Sequence, residues 1–208
     1  SVERRRRIVE LCVEHDLDVL EDDPYGLVRY EGEAPPSLHA LEGGERVSFT
    51  SSFSKTVAPG LRVGWFVVPE SLRAAYDDRA VSTYISPPLL SQAIVAELHE
   101  RAAFVPNLER IRDLLRLQRD AMLDSLEAEL GGRATWSTPE GGYFLWVELG
   151  VETAELLERA TEAGVTFVRG SDFYPGGADG RTAARLAFSY EPPDRIVEGV
   201  RILASLLP

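Results

Sequence analysis

Cysteine, methionine and lysine occur once each in these 208 residues, at Cys12, Met122 and Lys55, and histidine only three times. One cysteine forms no intrachain disulfide, so the fold must be held by burial, as suits a reducing compartment. Three scattered histidines and a lone thiol give no metal-ligand cluster. Apolar runs stay well short of the roughly 20 residues that a membrane span needs. Positive charge is scarce too. With 22 basic against 34 acidic side chains the net charge is −12, which argues against non-specific nucleic-acid binding through this segment. The one basic cluster, Arg4 to Arg7, reads as the solvated face of a helix, and the acids that follow it at once do not resemble a secretion signal. A cytosolic location and no membrane partner are the expectation. Apolar content of 44% and charged content of 27% are those of an ordinary globular chain, long enough for one large core or one and a half domains.

What is present alternates between helix and strand. Residues 1–15 read as a helix capped by Ser1, and 17–21 (L-D-V-L-E) as a short buried strand. Residues 31–45 are rich in Pro and Gly and read as a loop with a short turn, containing His39, which is assigned a structural or surface role. Strands are expected over 47–50 and 62–68, and a helix over 71–80. A second helix is expected over 89–103, broken by Val105-Pro106. A long amphipathic helix then runs over 107–130 and closes at Gly131-Gly132. The remainder reads as a small α+β unit. Its strands are at 134–137, 143–149, 165–168 and 184–189, and its helices at 152–162 and 195–207. The expected organisation is 1–88, a connector at 89–132, and 133–208. The opening helix caps a strand-helix pattern in mid-course, so the expectation is the C-terminal part of an α/β protein.

The chemistry concentrates at the solitary lysine. Arginine stays protonated, whereas lysine can lose its proton and attack a carbonyl as a Schiff-base nucleophile. An isolated lysine is ordinarily a solvated surface residue. This one follows Ser52 and Ser54 and precedes Pro59-Gly60, a turn able to return Arg62 toward the amine. Hydroxyls and a guanidinium are the groups that a phosphate binds. Upstream, Glu21-Asp22-Asp23-Pro24-Tyr25-Gly26 stands at the end of a strand, where open α/β sheets place ligands. Alone it is equally a D-P turn with a packed tyrosine.

The run S-x-S-K-x-x-x-P-G-x-R-x-G at 52–64 resembles the lysine segment of class I/II aminotransferases, fold type I enzymes that use pyridoxal 5′-phosphate (PLP). D-x-x-Y at 22–25, P-x-G-G-x-F-L-W-V at 139–147 and R-L-A-F-S at 185–189 resemble that family too. The wording is nearest to its 2-aminoadipate, aromatic and MocR-like branch. The resemblance implies an α/β fold: a partial large-domain sheet and a small C-terminal domain. It also implies a homodimer acting on an α-amino acid and a 2-oxo acid. Lys55 would be catalytic and form the Schiff base with the cofactor. Asp22 would face the pyridinium nitrogen, Tyr25 the 3′ oxygen, and Ser52, Ser54 and Arg62 the phosphate. Arg185 would grip the substrate carboxylate, with Arg181 the weaker candidate. The family's N-terminal glycine loop, ring-stacking aromatic and asparagine have no counterpart in these residues. The chain alone is therefore expected to bind PLP weakly and turn over poorly. The alternative implied is the effector-sensing domain of a GntR/MocR-type transcriptional regulator.

Overall fold

Val19–Asp22 alternates half-buried and exposed side chains and forms strand β1. It pairs in parallel with β2, Val47–Ser52, with Asp22 opposite Thr50. Strand β3, Gly64–Val67, lies antiparallel on the other side of β2. Parallel strands need a crossover. Here it includes a short helix α2, Leu38–Glu42, where the sequence suggests a loop with a short turn. Helix α1, Val2–Glu14, starts at Ser1, whose hydroxyl accepts from the Arg4 N–H. Alternation along β1 sends Glu21 and Asp22 to opposite faces. Glu21 accepts from Arg5 at 2.8 Å and from the His39 N–H at 3.1 Å, which fastens α1 and α2 to the strand. His39 is structural: its Nδ1 donates to the Val47 carbonyl at 2.6 Å.

These elements belong to the first of two compact units, Ser1–Ile111 and Arg112–Pro208, into which this computed structural model divides; it describes residues 1–208. The first unit also holds α3, Glu70–Thr83, and α4, Leu89–Glu100. Helix α5, Phe104–Leu130, begins in it and runs into the second. The break expected at Val105-Pro106 is present but falls earlier, at 101–103 between α4 and α5. Pro106 falls in the first turn of α5, where a missing N–H costs no helical bond.

Strand β2 is anchored at its start by one carboxylate. Glu42 Oε2 accepts from the N–H groups of Gly44, Glu45, Arg46 and Val47 at 3.0–3.2 Å. Burial pushes the Glu42 carboxyl up, but bonds from Arg46, Val47, Glu45 and Gly44 outweigh it and hold the group below its ordinary 4.5. A depressed carboxyl contributes stability above its unfolded pKa and loses it as pH falls through the folded value. Glu42→Gln is therefore expected to lower stability by about 1 kcal/mol at neutral pH. The deficit should shrink toward zero as pH drops below 4.5. Urea denaturation of both proteins across that range measures it, and a pH-independent deficit would refute the assignment.

The second unit is a four-stranded sheet in the order β4-β5-β7-β6. The strands are Thr135–Trp136, Phe144–Glu148, Val168–Arg169 and Ala183–Ala187 for β4, β5, β6 and β7. Strand β6 starts later than the expected 165–168. Helices α6, Thr153–Glu162, and α7, Pro193–Ser205, complete the unit with the second part of α5. Leu126, Leu130, Leu145, Val147, Leu156, Phe188 and Leu203 are buried in its core. Each contributes roughly 1.5–3 kcal/mol relative to exposure. Arg119, also buried, donates to the Pro139 carbonyl at 2.8 Å and fixes the strand-to-strand segment that holds Gly141 and Gly142.

Candidate functional site

Two loops at the carboxyl ends of β1 and β2 meet in the first unit. After Asp22, the Asp23 N–H donates to the Thr50 carbonyl at 2.9 Å, extending the strand pairing by one residue. Asp23 Oδ1 then accepts from the Gly26 N–H at 2.7 Å. A Cβ on Gly26 would lie 2.1 Å from Asp23 Oδ2, so any side chain there would displace the carboxylate that closes the turn. The Asp23 carboxylate thus closes its own loop, whereas Asp22 is exposed at the strand end. Ser51 Oγ donates to the Asp23 carbonyl at 2.8 Å and ties the two loops together.

The second loop carries Lys55. Val57 N–H donates to the Phe53 carbonyl at 2.8 Å, and Phe53 N–H to the Val63 carbonyl at 2.9 Å. The turn is also held from the start of α5, where Asn107 Nδ2 donates to the Thr56 carbonyl at 2.9 Å. The Phe53 ring meets Phe104 and His99 edge-on, each at 6.0 Å, while His99 and Phe104 stack at 4.6 Å. With its turn held on both sides, Lys55 projects toward the first loop. Its Nζ lies 5.6 Å from the centroid of the Tyr25 ring.

Pro59–Leu61 forms one 3₁₀ turn, and Arg62 follows in the left-handed region at φ 54°. That conformation costs a non-glycine residue on the order of 1 kcal/mol. It returns the guanidinium to the lysine loop: Arg62 Nη1 donates to Ser54 Oγ at 3.3 Å. Ser54 is buried, and Ser52 is half-buried at the end of β2 opposite Gly64. The loops therefore bring together an amine and a phenol, and set a hydroxyl beside a guanidinium, at a strand end that also carries a carboxylate. This donor set fits a phosphorylated aromatic aldehyde: one nucleophile, anion donors, and an acid for a ring nitrogen.

Arg185, in the second unit, lies on β7 opposite Trp146 of β5. Its Nε is buried without a hydrogen-bond partner. Arg181, the competing candidate, is exposed and paired with Glu152 at 3.2 Å. Sequence reasoning missed the residues that support these groups. Asp23 and Gly26 were readable as a D-x-x-G turn, whereas Asn107, Phe104 and His99 carry no local signal, because they reach the lysine loop only through the fold.

A lysine-bearing turn at the carboxyl ends of α/β strands, with a phenol near the amine and a hydroxyl beside a guanidinium, offers the groups that Schiff-base chemistry uses. The chain belongs to the aminotransferase class I and II family, whose model matches residues 1–192. It is 37% identical to the 2-aminoadipate transaminase of Thermus thermophilus over 98% of this chain and 52% of that protein. The crystal structure of Pyrococcus horikoshii kynurenine aminotransferase in complex with PMP superimposes with a TM-score of 0.91. Identity there is 35%, over 98% of this chain and 51% of that one. An HTH-type transcriptional regulator of Bacillus subtilis, YisV, is 30% identical over 98% of this chain and 42% of its own length. The chain spans about half the length of the curated aminotransferases that it matches. No helix is long and apolar enough to cross a membrane.

Proposed function

We propose that this chain supplies the lysine-bearing part of a PLP-dependent aminotransferase that moves an amino group between an α-amino acid and a 2-oxo acid. The observation that carries the reading is Lys55 Nζ over the Tyr25 ring at 5.6 Å, in a turn whose Ser54 bonds Arg62. PLP, when bound, withdraws electrons from the substrate carbon and holds the amino group between half-reactions. Lys55 would hold the cofactor carbonyl through its amine, and the same amine would serve as the acid and base at the substrate Cα. Asp22 would face the ring nitrogen and favour its protonated form. Tyr25 would donate to the 3′ oxygen, and Ser52, Ser54 and Arg62 would hold the phosphate. Arg185 receives the substrate carboxylate as a fork of two parallel N–H groups.

The substrate class is that of the 2-aminoadipate and kynurenine relatives: amino acids with long or aromatic side chains. A cytoplasmic homodimer accompanies this reading. Support for the pairing is the exposed apolar stretch containing Tyr84, Ile85, Leu89 and Leu90, which is 59–82% accessible. The domain organisation proposed with it is a large-domain portion at 1–88, a connector at 89–132 and a small domain at 133–208.

The similarity to YisV favours one second reading, an effector-sensing domain of a transcriptional regulator. A single-turnover assay separates the two. PLP-loaded whole protein mixed with 2-aminoadipate and no oxo-acid acceptor is expected to release one 2-oxo acid per site. Binding without any release would favour the regulator.

A further inference from the structure

Most arginines of the second unit with a described partner are held by an acid. Arg169 pairs with Asp172 at 2.8 Å, Arg181 with Glu152, and Arg119 with Asp120 at 2.6 Å. Arg185 is not. Aromatic rings hold its guanidinium instead: Cζ lies 4.0 Å from the centroid of Phe144 and 5.1 Å from that of Phe173. Phe144 stands two residues before Trp146, the cross-strand neighbour of Arg185, and so shares its face of the sheet. Phe173 arrives from the turn after β6, where its ring meets Trp146 edge-on at 5.5 Å.

An arginine meant to receive a ligand carboxylate faces a conflict. A protein acid would orient the guanidinium, but it would also occupy the N–H fork and have to be displaced by the ligand. An aromatic face attracts the same cation through its quadrupole, yet takes no N–H group and adds no negative charge to repel the ligand. Consistent with this, the Arg185 Nε is buried and bonded to no protein acceptor.

We propose that Phe144 and Phe173 are positioning residues that hold the Arg185 guanidinium in place of an acidic partner, and thereby set the affinity for carboxylate ligands. The proposal rests on the reading of Arg185 as the substrate-carboxylate site and adds which residues make it competent.

The test uses the whole PLP-loaded protein and 4-methylpentanoate, a carboxylate with neither amino nor oxo group, so that binding is read without chemistry. Phe173→Leu, Phe144→Leu and the aromatic-preserving Phe173→Tyr and Phe144→Tyr are compared with Arg185→Lys. The readouts are the dissociation constant and the Arg185 Nε–Hε resonance in arginine-labelled protein. Each leucine variant is expected to bind about 3- to 10-fold more weakly and to shift that resonance away from its ring-shielded position. The tyrosine variants should stay within about twofold of the parent, because the ring face that attracts the cation is retained. Phe173 is 46% exposed, so its leucine variant retains a folding-competent core and keeps the test decisive if Phe144→Leu fails to fold. Unchanged binding and resonance in Phe173→Leu, alongside weakened binding in Arg185→Lys, would overturn the aromatic bracket alone. Unchanged binding in Arg185→Lys would overturn the carboxylate site and the bracket with it.

Discussion

Lys55→Ala is expected to abolish transamination, with a loss on the order of 10⁴-fold or more in kcat, while leaving the protein folded. The size follows from the residue's double duty. The amine both binds the cofactor carbonyl and moves the proton at the substrate carbon, so its removal costs nucleophile and base together. Lys55 is half-buried on a turn held by backbone bonds and by Asn107, none of which uses its side chain. Lys55→Arg is the sharper control. It keeps the positive charge near Tyr25 but offers no deprotonated amine, and it should be as inactive as the alanine variant. Substantial activity in the arginine variant, measured as 2-oxo-acid release, would mean that charge rather than nucleophilicity is what this position supplies. Exogenous methylamine should restore part of the proton-transfer rate to Lys55→Ala and none to Lys55→Arg, where the guanidinium fills the space.

Arg185→Lys is expected to lower kcat/KM by roughly 10- to 100-fold, the range given by loss of a charge-assisted bidentate pair. Most of the loss should fall on KM, and on both the amino-acid and oxo-acid substrates, because both present the same carboxylate. Lysine keeps the charge but replaces a planar fork by a point donor. Arg181→Lys, at an exposed residue already paired with Glu152, should change neither parameter by more than about twofold. Steady-state kinetics of the two variants settles which arginine binds substrate. A larger effect from Arg181 would reverse the assignment.

What is legible in the sequence is what is local. Asp22, Tyr25, Lys55 and Arg62 stand in two short motifs whose resemblance to the aminotransferase family supplies their proposed roles, and the structure brings Lys55 to Tyr25 and Arg62 to Ser54. The return of Arg62 through the Pro59-Gly60 turn was readable for the same reason, since turn chemistry is written in adjacent residues. The supports were not. Asn107 lies far along the chain from the Thr56 carbonyl that it holds. The rings around Arg185 come from two separate segments, and nothing in R-L-A-F-S announces them. For the fold, long periodic segments such as α5 and β5 were clear. Helix α2 was hidden by its brevity, and the anchoring of β2 by Glu42 depends on a loop closing on itself. The break between α4 and α5 lies a few residues before Pro106, because proline is tolerated in a first helical turn as well as at a break.

The central claim is that Lys55 is the residue that bonds PLP. Borohydride reduction of the PLP-loaded whole protein, followed by tryptic digestion and mass spectrometry, tests it most directly. Reduction makes the lysine bond permanent and blocks cleavage at Lys55, so the account predicts a pyridoxyl group on one uncut peptide, Val47–Arg62. Cleavage at Lys55 in the reduced protein, with the label elsewhere or absent, would contradict it.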